Sequence, residues 1–150
     1  MVQIHGAMLP DCIVRNSRIP RPRVVQTLRR EKEAGRIGSG RPFAPPITER
    51  DIARMLLALS APSPSRAVEH EKATGRLVSP DGLTVESAIA ALLSADATEG
   101  QIAVSQDGRF VEIRTLDGVR TFGSPCGGFV SVFIIPIAAI VVIGGELLNK

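Results

Sequence analysis

The stretch Ile19–Gly40, IPRPRVVQTLRREKEAGRIGSG, predicts one short basic helix with a signal at each end. Pro20 and Pro22 lie at or before its first turn, where proline is tolerated because the first helical N–H groups have no helical acceptor. Gly35 lies where a left-handed residue commonly ends a helix. We therefore predict a helix over residues 22–34 and place the remaining elements relative to it.

The apolar residues of this helix predict its buried side. Val24, Val25 and Leu28 follow the spacing i, i+1, i+4, which gives one apolar stripe able to pack on neighbouring helices. Glu31 and Glu33 interrupt the positive charge along the same helix. These two acids weaken the electrostatic case for an anionic partner.

Positive charge is concentrated in the first third of the chain. Residues 1–50 contain ten Lys or Arg and four acids, residues 51–100 contain four bases and seven acids, and residues 101–150 contain four of each. Such an asymmetry is typical of a nucleic-acid-binding region, although a solubilising surface would show the same pattern. With no Trp or Tyr and five Phe, the composition argues against single-strand binding by base stacking.

Three further helices are expected after the Gly- and Pro-rich loop 38–46. Thr48 predicts the N-cap of the second helix, because Asp51 lies three residues later as in a capping box. A third helix over 66–74 is weakly apolar and is expected to lie mostly in solvent. A fourth begins at 83–84 and presents an apolar side.

The hydrophobic period changes near residue 100. Alternating runs at 101–106, 109–116 and 119–122 are separated by Asp-Gly pairs at 107–108 and 117–118. Asp-Gly between alternating runs is a strong signal for a hairpin with a type I′ turn. The sequence therefore predicts a three-stranded antiparallel meander.

The uncharged run Thr121–Gly145 admits two interpretations. It is long enough for a bilayer crossing, which needs about 20 apolar residues. The interpretation that we favour is a buried strand, Val130–Ile135, followed by a helix that begins at Pro136 and covers the sheet.

The predicted fold class is therefore α+β. Residues 1–75 are expected to form a helical, helix-turn-helix-like region. Residues 76–150 are expected to contain a helix, a small antiparallel β-meander and the C-terminal apolar strand and helix, which would serve packing or oligomerisation.

No motif indicates catalysis or a bound metal or cofactor. Cys12 and Cys126 have no Cys or His neighbours at ligand spacing, and His5 and His70 are isolated. We therefore predict a protein without enzymatic activity, catalytic residues, metal or cofactor. The N-terminus does not resemble a signal peptide, so the expected compartment is the reducing cytoplasm.

Residues 21–37 resemble the recognition-helix segment of helix-turn-helix and winged-helix DNA-binding proteins. The similarity lies in the apolar pair 24–25, Leu28, the charged stretch 29–33, the Ala34–Gly35 stop and the apolar Ile37. The resemblance implies a helix in the major groove, where Arg and Gln can contact base edges. The expected base-contacting residues are Arg21, Arg23, Gln26 and Thr27. The expected phosphate-contacting residues are Arg18, Arg30, Lys32 and Arg41.

Residues 20–75 are also similar to a group of uncharacterised, prophage-associated alphaproteobacterial proteins. The shared features are a helix ending in EAG and an apolar residue, a Gly/Arg loop and a second helix that starts T-x-R-D-x-A, here at Thr48. This resemblance implies a phage context.

Together these observations predict a small phage- or prophage-type protein that binds double-stranded DNA, as a transcriptional regulator or a DNA-packaging factor. We expect a homo-oligomer, because one short helix gives little affinity, and a phage structural or packaging protein as a further possible partner. The alternatives are a non-catalytic phage assembly protein that grips a partner with the basic helix, and a tail-anchored membrane protein.

Overall fold

The computed structural model describes residues 9–38, 46–95, 99–125 and 130–148. In this part of the chain, helices precede a four-stranded antiparallel sheet and one helix follows it, so the predicted α+β class is confirmed. The helices are α1 (Leu9–Asn16), α2 (Arg21–Glu33), α3 (Glu49–Leu59), α4 (Ala67–Gly75), α5 (Val85–Leu92) and α6 (Ile137–Leu147). The strands are β1 (Gln101–Ser105), β2 (Phe110–Thr115), β3 (Gly118–Gly123) and β4 (Val132–Pro136).

The predicted helix starts are set by local hydrogen bonds. Thr48 and Asp51 form the expected capping box of α3, in which the Asp51 N–H donates to Thr48 Oγ1 at 3.2 Å and the Thr48 N–H donates to Asp51 Oδ2 at 3.1 Å. Thr84 caps α5 by accepting from the Ser87 N–H at 3.2 Å. Both caps satisfy N–H groups that the helix itself leaves without acceptors.

The predicted meander is confirmed, but its turns differ from the expected ones. Thr115 pairs with Gly118, so residues 116–117 form the second turn, and Gly118 begins β3. The first connection spans residues 106–109. Ser105 Oγ stabilises it by donating to Asp107 Oδ1 at 2.7 Å and accepting from the Phe110 N–H at 3.0 Å. These side-chain hydrogen bonds favour a longer connection than a two-residue Asp-Gly turn.

The predicted order of the C-terminal segment, a strand and then a helix, is confirmed as β4 and α6, but the expectation of a buried strand is wrong, because Val132 and Ile134 are exposed. β4 pairs with β1 at the edge of the sheet, in the order β3-β2-β1-β4, and Pro136 lies at the N-cap of α6. Gly144 allows α6 to approach α5 closely, because a Cβ there would lie 2.7 Å from the Leu93 carbonyl oxygen. Among the described residues, every helix is too short or too polar to cross a membrane.

α4 contradicts the expectation of a mostly solvated third helix. Its His70, Glu71 and Thr74 are buried against the neighbouring elements. Thr74 Oγ1 donates to the His70 carbonyl oxygen at 2.7 Å. A helix with few apolar residues can be buried here because its polar side chains have hydrogen-bond partners inside the protein.

One hydrophobic cluster extends from Leu9 in α1 to Leu147 in α6 and includes residues of both predicted regions. α6 also joins α1 through polar contacts. The Cys12 thiol donates to Glu146 Oε2 at 2.9 Å, and Arg15 Nη2 lies 2.8 Å from the same oxygen. Burial, and then the Glu146 carboxylate, raise the pKa of Cys12 to about 12, so this cysteine remains a thiol.

Candidate nucleic-acid interface

The connection between α1 and α2 has the length expected of a helix-turn-helix. Only residues 17–20 separate the two helices, and three- to four-residue turns are typical of this motif. Ser17 Oγ accepts from the Ile19 N–H at 3.3 Å, and the Pro20 carbonyl oxygen accepts from the N–H groups of Arg23 and Val24 at 3.1 and 3.2 Å. This turn fixes the direction in which α2 leaves α1.

The C-terminus of α2 has the predicted glycine stop. Gly35 has a φ of 71°, its N–H donates to the Lys32 carbonyl oxygen at 3.0 Å, and the Arg36 N–H donates to the Glu31 carbonyl oxygen at 2.9 Å. This pair of bonds is a Schellman motif, and it returns the chain so that Ile37 is buried.

The buried side of α2 differs from the predicted apolar stripe. Val24 and Leu28 are buried as expected, but Val25 is 46% exposed and Thr27, which was expected at base edges, is only 1% exposed. The buried positions are Val24, Thr27, Leu28 and Glu31. Their i, i+3, i+4, i+7 spacing is a better helical stripe than the predicted one, and it includes two polar residues. The assignment of Thr27 to base contacts is therefore wrong.

Arg23 also faces the protein interior rather than a groove. Its Nη2 donates to the carbonyl oxygens of Leu59 and Ala61 at the C-terminus of α3. Leu59 is the last residue of α3, where the helix supplies no donor to the carbonyl, and Ala61 lies just beyond it, so Arg23 holds α2 against the end of α3. Arg23 thus has a structural role that its sequence position did not indicate.

The remaining exposed residues form one continuous side of α2. We call it the outer face of α2, defined by Pro22, Val25, Gln26, Arg29, Arg30 and Glu33, all of which are exposed. Arg29 Nε lies 3.0 Å from Glu33 Oε1, an i,i+4 ion pair. Gln26 and Arg30, two of the predicted contact residues, lie together on this face.

The other predicted contact residues lie around the outer face. Arg18 is exposed in the turn before α2, and Lys32 is half-buried near the end of the helix. Arg21 is exposed, and its Nη1 pairs with Asp11 Oδ1 of α1 at 2.5 Å. Arg41 lies outside the described residues, as does Cys126.

A surface cavity of about 600 Å³ adjoins the outer face of α2 and adds two residues that sequence reasoning missed. Gln26, Arg29 and Arg30 line one wall, and Ser63 and Ser65, from the turn that precedes α4, line the other. The two hydroxyl oxygens are 3.0 Å apart and exposed. Nothing in the sequence links this serine turn to α2, because only the packing of α2 against the chain after α3 brings them together.

The electrostatics of α2 depend on Glu31, which is fully buried. Among the described residues, no donor reaches either oxygen of its carboxyl group. Burial, and next the adjacent Glu71, raise the pKa of Glu31 to about 9. At neutral pH the protonated Glu31 can donate a hydrogen bond to Glu71 and carries no charge. Of the two acids in α2, only Glu33 then offsets the five cationic side chains of the helix.

Glu71 is in turn held by Arg36, and Arg54 connects Arg36 to α3 and α5. Arg36 donates to both of its oxygens, from Nε at 2.9 Å and from Nη2 at 3.1 Å. Arg54 of α3 donates from Nη1 to the Arg36 carbonyl oxygen at 2.7 Å and from Nε to Glu86 Oε1 at 3.1 Å. This buried network fixes the C-terminal end of α2 against α3, α4 and α5.

Ser60 and His70 form a close pair whose hydrogen bonds have a structural role. Ser60 Oγ lies 2.8 Å from His70 Nε2 and donates to the Leu57 carbonyl oxygen at 2.6 Å. Because the hydroxyl hydrogen is used on Leu57, His70 Nε2 must be the donor to Ser60. Ser60 is fully buried, and burial lowers the pKa of His70. Among the described residues, no three His, Cys, Asp or Glu side chains are placed to hold a metal ion.

Comparison of the chain with family models, curated proteins and solved structures found no match.

Proposed function

We propose that this protein binds double-stranded DNA through the outer face of α2, as a phage-type transcriptional regulator or DNA-packaging factor in the cytoplasm. The observation that carries the proposal is the charge of this helix. Five cationic side chains lie on α2, and of its two acids only Glu33 is exposed, because Glu31 is fully buried. An exposed α-helix has the width that the DNA major groove admits, and its positive charge complements the DNA phosphates.

The exposed residues divide into two expected roles. Gln26 and Arg29, near the centre of the outer face, have side chains that can make bidentate contacts to adenine and guanine edges. Arg30, with Ser63 and Ser65 across the adjoining cavity, has donors suited to phosphate oxygens. Arg18 and Lys32 extend the phosphate-binding surface to the two ends of the helix.

A homo-oligomer remains part of the proposal. A single α2 offers few base contacts, whereas a two-fold dimer can place two such helices about one DNA turn apart and so read two half-sites. Oligomerisation would then raise both affinity and specificity without any further residue on α2.

The test compares the double variant R29A/R30A with the matched variant R50A/R114A, which removes the same charge from exposed positions on α3 and β2. Fluorescence anisotropy with a labelled duplex would be measured over a range of salt concentrations. We expect the wild type to bind with a strong salt dependence. R29A/R30A should weaken binding about tenfold or more at low salt and, because Arg30 is the expected phosphate contact of the pair, reduce the slope of log K against log salt by about 1.

Two results would contradict the proposal in different ways. Equal losses in the two double variants would mean that the outer face of α2 is not the DNA-binding surface. A defined oligomer with no affinity for duplex DNA at low salt would favour the alternative role, a non-catalytic assembly protein. Circular dichroism of each variant controls for folding.

A further inference from the structure

An apolar groove of about 640 Å³ lies beside β4 and extends to the turn between α1 and α2. Its floor is formed by fully buried side chains, among them Ile13 of α1, Leu59 of α3 and Ile143 of α6. The volume falls within the range of about 300–1,000 Å³ that is typical of sites for small organic ligands.

The wall along β4 is open because this strand is at the edge of the sheet. Ile134 of β4 lines the groove and is 43% exposed. No residue of this strand is charged, so the exposed wall is apolar. Ala139, on the first turns of α6, also lines the groove, and its small side chain leaves space there. An apolar wall of this kind gains stability when a hydrocarbon group covers it.

The polar residues of the groove are grouped at one place, the C-terminus of α1 and the turn that follows it. Arg15 is paired with Glu146, and Asn16 Nδ2 donates to the Cys12 carbonyl oxygen at 2.8 Å. Ser17 Oγ accepts from a backbone N–H, so its hydroxyl hydrogen remains available as a donor. Arg18 has no hydrogen bond or ion pair with any described residue.

The groove therefore combines a hydrocarbon-lined cavity with two adjacent donors, one of them cationic. We propose that it binds a small anionic amphiphile, a carboxylate with an unbranched hydrocarbon chain. The chain lies along Ile134 and Ala139, and the carboxylate accepts from Arg18 and Ser17. Charge complementarity selects this ligand, since a hydrocarbon without an anionic group would leave Arg18 unused.

The structure favours this occupant over a second protein strand. β4 is only five residues long and ends at Pro136, which has no N–H to donate to a further strand. A short edge that ends in proline is poorly suited to strand addition, whereas the cavity beside it has an apolar lining and a volume that can hold a hydrocarbon chain.

The proposal is tested by isothermal titration calorimetry with dodecanoate below its micelle concentration, and with dodecyltrimethylammonium, which has the same chain and the opposite charge. We expect one dodecanoate per chain and at least about tenfold weaker binding of the cation. R18Q should weaken dodecanoate binding about tenfold, whereas R50Q, at an exposed arginine of α3, should not change it.

Groove occupancy is tested with two neighbouring alanines of α6. Leucine at Ala139 fills the groove and should abolish binding, whereas leucine at the exposed Ala138 should not. Failure of the wild type to bind dodecanoate, or equal effects of A139L and A138L, would overturn the proposal. A different result would assign the groove to a second copy of this chain. In that case the wild type would sediment as a dimer, I134E would sediment as a monomer, and dodecanoate would not change the dimer. None of these readouts depends on DNA binding.

Discussion

At the scale of single residues, Glu31 shows how one buried group changes the charge of a surface that it does not touch. It lies on the inner side of the basic helix, beside Glu71, with Arg36 and Arg54 as the nearest cations. Because the protonated form is favoured by burial and by Glu71, α2 is more positive at neutral pH than its sequence suggests. Glu33, two residues later, is exposed and pairs with Arg29.

This arrangement predicts that E31Q stabilises the protein at alkaline pH. The pKa of Glu31 is raised from 4.5 to about 9, so the folded state binds more protons than the unfolded state between these values. Its contribution to stability is complete below pH 4.5 and is lost as the pH rises towards 9. Glutamine cannot ionise and can still donate to Glu71, so E31Q should gain roughly a few kcal/mol over the wild type at pH 8–9.

The measurement is urea unfolding of the wild type, E31Q and E33Q at pH 7, 8 and 9. E33Q serves as the matched control, because Glu33 is exposed and forms a surface ion pair with Arg29. His70, whose pKa is lowered by burial, has the opposite sign of pH dependence but acts below its ordinary value of 6.5, outside this window. A wild type whose stability does not fall from pH 7 to 9 would refute the raised pKa of Glu31.

The residues that sequence reasoning placed correctly are those with local partners. Gly35 and Thr48 act through neighbours within three or four positions, and both were predicted with their roles. Thr27 and Arg23 were assigned wrongly because their partners come from other elements. The resemblance to recognition helices placed both in the groove, whereas packing against α3 and α4 sets the rotation of α2.

At the scale of elements, α2 is held to α3 by a side-chain contact at the C-terminus of α3. Arg23 donates to the carbonyl oxygens of Leu59 and Ala61, beyond which the chain continues into the serine turn of the proposed interface. This one side chain therefore fixes the relative position of the two walls of the phosphate-binding cavity.

We expect R23A to destabilise the protein by about 1.5–3 kcal/mol, the usual range for hydrogen bonds that involve a charged group. R29A, which removes an exposed arginine from the same helix, should cost no more than about 0.5 kcal/mol, because it breaks only an i,i+4 surface pair. Chemical denaturation followed by circular dichroism distinguishes the two. Equal costs would show that Arg23 does not hold α3.

The strands and the last helix were also predictable as elements, but their connections were less so. Pro136 marked the change from β4 to α6, because proline cannot donate within a sheet and suits a helix start. The Asp-Gly pairs marked both hairpins, yet the first connection is longer than a two-residue turn and the second turn is centred one residue earlier than its Asp-Gly pair. Ser105 decides the first connection through its hydrogen bond to the Phe110 N–H, a contact that the alternating pattern does not reveal.

At the scale of the whole molecule, the hydrophobic cluster joins what the sequence suggested as two regions, 1–75 and 76–150. α6 contacts α1, α5 and β4, so the last helix of the chain packs against the first. Long-range packing of this kind has no signature in hydrophobic periodicity, which reports only the buried side of each element.

This shared cluster predicts one cooperative unfolding transition for the described helices and strands. Ile140 of α6 is fully buried in the cluster, and I140A should cost about 2–5 kcal/mol through lost burial and the cavity left behind. α1 and β1 depend on the same cluster. In hydrogen exchange, I140A should therefore lower the opening free energy of the slowest-exchanging amides by the same amount in α1 and in β1. V142A, at an exposed position of the same helix, is the control. Loss of protection in the sheet alone would mean that the N-terminal helices fold independently, and α2 would then be carried by a separate unit.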